Sequence, residues 1–123
     1  MSKRIPAPGK SWLRLRLRVM VDGEIALGPG RVQLLELIHK TGSLRAAAQC
    51  MGVSYMRAWK LIKETNDCFD RPLVEVTRGG KSGGGAKLTK TGRQTFALYR
   101  QMEKQRHKAV KATWSDLQKL LRK

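Results

Sequence analysis

Basic side chains at helical spacing are the first feature of this sequence that could do chemistry. Arg57, Lys60 and Lys63 recur every three residues, and Met56 stands beside them. At about 100° per residue these four share one face of a helix. Arginine and lysine donate hydrogen bonds to O6 and N7 of guanine, and methionine can contact the methyl group of thymine. A solvated charged face, which is common on surface helices, is the alternative interpretation.

This face lies on the second of two predicted helices. Ser43 and Ser54 each precede an apolar-periodic run, as helix N-caps do. We predict helices over residues 44–51 and 55–66, joined at Gly52, where the chain needs a left-handed conformation that glycine adopts cheaply. This is the pattern of a helix-turn-helix, whose second helix enters the DNA major groove; an ordinary pair of core helices is the alternative. The predicted recognition residues are Ser54, Tyr55, Met56, Arg57, Lys60 and Lys63.

A glycine-rich basic loop follows, between a short predicted strand over 73–77 and an extended run that resumes at Lys87. A loop of this kind between two strands is a wing. Glycine lets the backbone of the wing lie close to a sugar-phosphate surface, and the lysine and arginine side chains of the wing supply positive charge. Gly80-Lys81-Ser82 resembles the end of a phosphate-binding P-loop. That motif needs a glycine where Glu75 stands and a helix directly afterwards, so we reject it. The predicted wing contacts are Arg78, Gly79, Gly80, Lys81, Ser82 and Lys87, and a hairpin loop without function is the alternative.

A β-hairpin and one more helix precede the motif. Apolar and arginine side chains alternate over residues 12–21, which predicts a half-exposed strand with arginines blunting the sheet edge. Asp22-Gly23 predicts a tight turn, and residues 24–27 the returning strand. A helix is predicted over 31–40. Together with the motif this makes three consecutive helices.

A long helix is predicted after its cap Thr89, over roughly 90–121. Glu103 and Arg106 interrupt its apolar stripe, so it is not a strict heptad seam. The stripe is longer than the preceding part of the chain can cover, so we expect a partner helix from a second subunit, with packing back onto the same chain as the alternative. The predicted dimerisation residues are Phe96, Tyr99, Val110, Trp114, Leu117 and Leu121.

The charge balance indicates a polyanionic partner. Lysine and arginine number 26 against 9 acids, so the net charge is +17. Residues 22–86 hold nine basic and seven acidic residues. The cationic side of the second motif helix is therefore a property of one face and not of bulk composition.

Other classes of function find little support in the sequence. Cys50 and Cys68 form no CxxC pair and suit two reduced thiols of a cytoplasmic protein. No signal peptide or run of membrane-spanning length is evident. We find no nucleophile–histidine–acid set, paired apolar carboxylates or metal cluster. We therefore predict no enzyme, no cofactor and no membrane partner.

The fold class that follows is mainly α with a small amount of β. We predict a flexible basic tail over 1–11, a winged helix-turn-helix DNA-binding domain over 12–88, and a long C-terminal dimerisation helix over 89–123. The leading function is sequence-specific binding of double-stranded DNA. A non-specific basic nucleic-acid-binding or architectural protein is the alternative, because net charge alone would support it.

Two motifs occur together in this chain: Ser54-Tyr55-x-x-Ala58-Trp59 and Gly79-Gly80-x-x-Gly83-Gly84-Gly85. With these motifs and the predicted elements, the chain resembles the DNA-binding domain of the ModE family of molybdate-responsive transcription regulators, and more distantly the LysR-type winged helix. The resemblance covers about residues 12–105. It implies a homodimer that binds a palindromic operator, with the long helix in dimerisation and a role in molybdenum homeostasis. Full-length sensors of that family carry C-terminal oxyanion-binding domains, whereas this sequence ends at Lys123, so we expect no molybdate binding by this chain.

Overall fold

Four helices and two small antiparallel hairpins make up the protein, as seen in a computed structural model that describes residues 10–77 and 85–122. The elements are, in chain order, β1 (Val19–Val21), β2 (Glu24–Leu27), α1 (Pro29–Thr41), α2 (Leu44–Met51), α3 (Tyr55–Asp67), β3 (Val74–Thr77), β4 (Gly85–Leu88) and α4 (Lys90–Gln118). This confirms the predicted fold class, a winged helix-turn-helix with a long C-terminal helix. We call the elements from β1 to β4 the head.

The helix-turn-helix forms as its capping residues predict. The Ser43 hydroxyl accepts a hydrogen bond from the Ala46 amide at 3.1 Å, which satisfies one of the unpaired donors at the start of α2. Gly52 ends α2 with φ of 73°, in the left-handed region. The Val53 amide then donates to the Ala48 carbonyl at 3.0 Å, and the chain turns into α3.

The core lies where the three helices of the head meet. Small side chains on α2 and α3, including Ala47 and Ala58, are completely buried and let these helices approach α1 closely. Leu34, Leu35 and Ile38 of α1 fill the space between them and are also buried. The inward faces of α2 and α3 are therefore fixed by packing, and their opposite faces are left for solvent or a partner.

Helix α1 begins at Pro29, two residues before the predicted start at Arg31. The helix predicted over 31–40 leaves Gly28, Pro29 and Gly30 outside it. Proline suits the first turn of a helix because its fixed φ is already helical and its missing N–H is not needed there. Only Gly28 of that triplet remains outside the helix, as its N-cap.

The prediction of a strand from Trp12 to Val21 is wrong for most of its length, since regular strand is present only over Val19–Val21. β2 has four residues before α1 begins, so it offers no partner for the earlier residues. Residues 10–18, which we call the N-terminal segment, instead run beside α4. The Tyr99 hydroxyl donates to the Leu17 carbonyl at 2.8 Å, and the Gln118 side chain donates to the Ser11 hydroxyl at 3.0 Å.

Helix α4 is capped by Thr89 as predicted, since its hydroxyl accepts from the Gly92 amide at 2.9 Å. It ends at Gln118, before the predicted end near residue 121. Its first turn packs tightly on the segment before β3. A Cβ atom at Gly92 would lie only 2.0 Å from the carbonyl oxygen of Leu73, so this helix approaches the head too closely for any side chain there.

We predict that Gly92→Ala destabilises the protein by at least about 2 kcal/mol, because neither the Leu73 backbone nor α4 can move without loss of packing. Urea unfolding followed by circular dichroism measures this change. Gly30→Ala is the matched control, since Gly30 lies in α1 and an added Cβ meets nothing within 4 Å. Equal unfolding free energies for the two variants would contradict the close contact.

Candidate nucleic-acid interface

One guanidinium group links helix α3 to α1 and β2 within the head. Arg31 of α1 donates to the Ile25 carbonyl of β2 at 2.6 Å and to the Thr65 hydroxyl of α3 at 3.2 Å. Its other terminal nitrogen forms a salt bridge with Glu64 of α3 at 3.0 Å. Only 15% of the Arg31 side chain is exposed, so these bonds are made in a partly desolvated setting where they are stronger. Arg31 thus joins α1, β2 and α3, and it pairs with the carboxylate of Glu64.

The outward face of α3 presents the predicted recognition residues to solvent. Arg57, Lys60 and Lys63 are exposed, and Met56 is 73% exposed. The face begins at the N-terminus of α3, where the helix dipole adds partial positive charge. An exposed, apolar Met56 beside donors of hydrogen bonds gives this surface the functional groups that contact base edges in the major groove.

The other two predicted recognition residues have structural tasks. The Ser54 hydroxyl accepts from the Arg57 amide at 3.0 Å and so caps α3. Tyr55 is half-buried, and the Arg45 guanidinium of α2 lies over its ring, 5.1 Å from the centroid. Sequence reasoning passed over Arg45, although its place in the first turn of the first motif helix was a usable signal. This exposed cation stands beside the start of α3 and extends its positive surface.

The base of the wing is a regular antiparallel ladder. Val74 pairs with Leu88 and Thr77 with Gly85, and Glu75 stands opposite Lys87. Lys87 is exposed as predicted, but the facing carboxylate offsets part of its charge because directly opposite side chains in a ladder are close together. The remaining predicted wing contacts lie outside the described residues: Arg78, Gly79, Gly80, Lys81 and Ser82.

One side chain fixes the base of the wing relative to α3. The Asn66 carbonyl oxygen, at the end of α3, accepts from the amides of Leu73 at 2.8 Å and Val74 at 3.3 Å. Its amide nitrogen donates to the Val74 carbonyl at 3.2 Å. On the other strand, the Ala86 amide donates to the carbonyl of Gly42, between α1 and α2, at 2.9 Å. Both wing strands are therefore anchored to the helix-turn-helix at their base.

A shallow groove of about 230 Å³ separates α3 from β3. Lys63 and the partly exposed Trp59 lie on its helix side, and Val76 lies on its strand side. Lys63 is thus placed toward the wing, whereas Arg57 lies in the first turn of α3.

The predicted dimerisation residues do not form one surface. Tyr99 is completely buried in the core of its own chain, and Phe96 packs against that core. Burial raises the pKa of the Tyr99 phenol, which stays protonated and donates to Leu17. Val110 and Trp114 line a groove of about 270 Å³ with the N-terminal segment. Of the six residues, only Leu117 and Leu121 are largely exposed, at 51% and 41%. Tyr99 and Phe96 pack onto their own chain, as in the alternative, and dimerisation through the other four residues stays a prediction.

No helix among residues 10–77 and 85–122 has the length and apolar character needed to cross a bilayer. The same part of the chain holds no group of three or more histidine, cysteine or acidic side chains placed to bind a metal ion.

The sequence profile of the family described as bacterial regulatory helix-turn-helix protein, lysR family, matches residues 30–93, more than half of the chain. The match extends from α1 through the wing into α4, which are the elements that build the surface described above. The chain belongs to this family. The family is described as one of regulatory helix-turn-helix proteins, and α2 and α3 form the helix-turn-helix within the matched residues.

This family member is also similar to ModE proteins, as its motif residues predicted. It is 39% identical over 92 residues to the molybdenum transport protein ModE of Azotobacter vinelandii, which covers 73% of this chain and 34% of that protein. It is 40% identical over 87 residues to the transcriptional regulator ModE of Yersinia pestis, covering 71% of this chain and 31% of that protein. The DNA-binding transcriptional dual regulator ModE of Escherichia coli is 39% identical over 87 residues, with the same coverage. The chain spans about a third of the length of these curated relatives.

We predict that Asn66→Ala destabilises the protein by about 1–3 kcal/mol, because two backbone N–H groups and one carbonyl lose their partner in a partly buried place. Asn66→Asp keeps the acceptors and loses the donor, so it should fall between. Amide hydrogen exchange should show faster opening of β3 in Asn66→Ala. Asp67→Ala, at the exposed neighbouring position, is the control and should leave exchange of β3 unchanged.

Proposed function

We propose that this regulator binds a specific palindromic operator as a homodimer. The observation that carries this proposal is the cationic face at the start of α3, held in one orientation by the Arg31 network behind it. A surface that only attracts DNA needs charge but no fixed orientation. Base reading needs donors held at defined positions, which the anchored helix supplies.

The proposed role of each residue follows from its position on the surface. Arg57 and Lys60, on the first two turns of α3, are placed to donate to guanine, while Met56 contacts a thymine methyl group. Arg45, Lys63 and Lys87 contact phosphates on either side. Base contacts set which sequence is bound, and phosphate contacts set the register and the salt dependence.

Two copies would meet two half-sites about 34–36 Å apart, one helical turn of DNA. An inverted repeat follows because a two-fold symmetric dimer presents the same face twice. The names of the relatives also support a role in molybdenum-linked gene regulation, since several are ModE or molybdenum-pterin-binding proteins. We propose that role for the genes that this chain controls.

A non-specific architectural binder is the competing function, because a net charge of +17 alone attracts any duplex. It predicts equal affinity for unrelated duplexes at a given salt concentration. The specific reader predicts one preferred sequence, with affinity at least about a thousandfold above random DNA.

Lys60→Ala and Arg57→Ala should each weaken binding to the preferred duplex by about 1–3 kcal/mol, while binding to random duplex changes much less. Fluorescence anisotropy at one fixed salt concentration measures both. Lys119→Ala removes the same charge beyond the far end of α4 and is the matched control. Unchanged affinity in both α3 variants would show that this helix does not read bases.

Selection of bound duplexes from a random pool should enrich an inverted repeat with half-site centres one helical turn apart. Its genomic matches should lie upstream of genes for molybdate uptake or molybdenum enzymes. A selected pool without a common sequence would support the architectural binder. An inverted repeat found upstream of unrelated genes would still support sequence-specific DNA binding but would contradict the proposed role in molybdenum-linked regulation.

A further inference from the structure

The groove between the N-terminal segment and α4 lies apart from the helix-turn-helix. Its volume is about 270 Å³, close to the roughly 300–1,000 Å³ of pockets that hold small molecules in proteins. The residues that line it come from 11–15 on one wall and from 106–114 on the other. None of them belongs to α2, α3, β3 or β4. A molecule in this groove would therefore leave the exposed face of α3 free.

The charged groups of the groove are positive. Arg106 and Lys111 contribute cations to its lining, and His107 adds an imidazole. None of the described residues that line it is acidic. The acid one turn before Arg106 is Glu103, and it forms a salt bridge with Arg100 at 2.7 Å. The groove thus has positive charge that no carboxylate of its own lining offsets, which favours an anionic ligand.

The Arg106 side chain has an unsatisfied hydrogen-bond donor. Its Nε is shielded from solvent and finds no acceptor among the described residues. No described residue forms an ion pair with this guanidinium either. A shielded donor without a partner is unfavourable, so the side chain gains by turning toward an acceptor. A carboxylate is the acceptor that suits it best, because its two oxygens can accept from two guanidinium nitrogens at once.

The other end of the groove is aromatic. Trp12 of the N-terminal segment is 44% exposed, and Trp114 of α4 is half-buried. The bond between the Gln118 side chain and the Ser11 hydroxyl, at 3.0 Å, holds the two walls together near these indoles. Indole rings present large flat surfaces on which other rings stack. Arg106 and Trp114 are about 12 Å apart along the helix axis, so a matching ligand carries a ring at one end and a charge at the other.

We propose that this groove binds a small aromatic carboxylate. The ring lies against Trp12 and Trp114, and the carboxylate accepts hydrogen bonds from Arg106 and Lys111. An inorganic anion would leave the indoles uncovered, and a neutral aromatic molecule would leave the guanidinium without an acceptor. A second copy of this chain suits the groove less well, because it brings its own net charge of +17 toward these cations.

Isothermal titration calorimetry of the full chain with 2-naphthylacetate tests the ligand class. The dissociation constant should be on the order of 100 µM, as expected for a ligand of this size. The amide 2-naphthylacetamide keeps the ring without the charge, and acetate keeps the charge without the ring. Each should bind at least about tenfold more weakly. Equal affinity for the acid and the amide would overturn the assignment of a carboxylate.

Substitutions in the groove test its location. Arg106→Met and Trp114→Leu should each weaken binding of 2-naphthylacetate at least about tenfold, through loss of the charge and of the stacking surface. Lys108→Met is the matched control, because it removes an exposed cation of α4 that does not line the groove, and it should bind like the wild type. Arg57→Ala should also bind like the wild type, so the result is independent of base reading by α3. An equal loss in Lys108→Met and Arg106→Met would show attraction to overall charge only and would overturn the site.

A second copy of the chain is the competing occupant of the groove. Absence of 2-naphthylacetate binding at millimolar concentration would overturn the proposed site. Sedimentation equilibrium of Trp114→Lys would then identify the occupant, because a cation in the groove should weaken a dimer that covers it and leave any other dimer unchanged.

Discussion

The position of the recognition helix depends on the partly buried guanidinium of Arg31. A guanidinium that loses much of its hydration must find acceptors, and here these come from β2 and from two residues of α3. Removing any one of these acceptors would leave a poorly solvated donor, so the three elements keep one relative arrangement. The same contact engages Glu64, the acid of α3 nearest the core, while basic residues occupy the outward side. This interaction therefore adds to the core packing that orients α3, and it pairs one of the acids of that helix.

Hydrogen bonds to distant residues also fix the base of the wing. Asn66 bonds to backbone groups of Leu73 and Val74, and the Gly42 carbonyl, at the junction of α1 and α2, accepts from the Ala86 amide of β4. The wing base cannot shift without losing these bonds, so α3 and the base of the wing keep one relative position. The absence of a side chain at Gly92 has a related effect, because it lets α4 begin directly against the segment that leads into β3.

Helix α4 packs on the head and extends beyond it. Its first three turns contact the head through Tyr99 and through a salt bridge of Arg100 with Glu36 at 3.0 Å. Farther along, the N-terminal segment covers one side of the helix. In the proposed dimer, the distance between the two α3 helices has to match an operator with defined half-site spacing.

The sequence alone determined the local features. Ser43, Gly52, Ser54 and Thr89 act through atoms within a few residues of themselves, so the helix boundaries at these caps could be predicted. The exposed face of α3 follows from helical periodicity for the same reason. The tertiary structure decided what depends on contacts between distant residues. Whether residues 12–18 form a strand depended on the length of β2, and which side of α4 is covered depended on where the N-terminal segment lies, because an apolar stripe does not specify its partner.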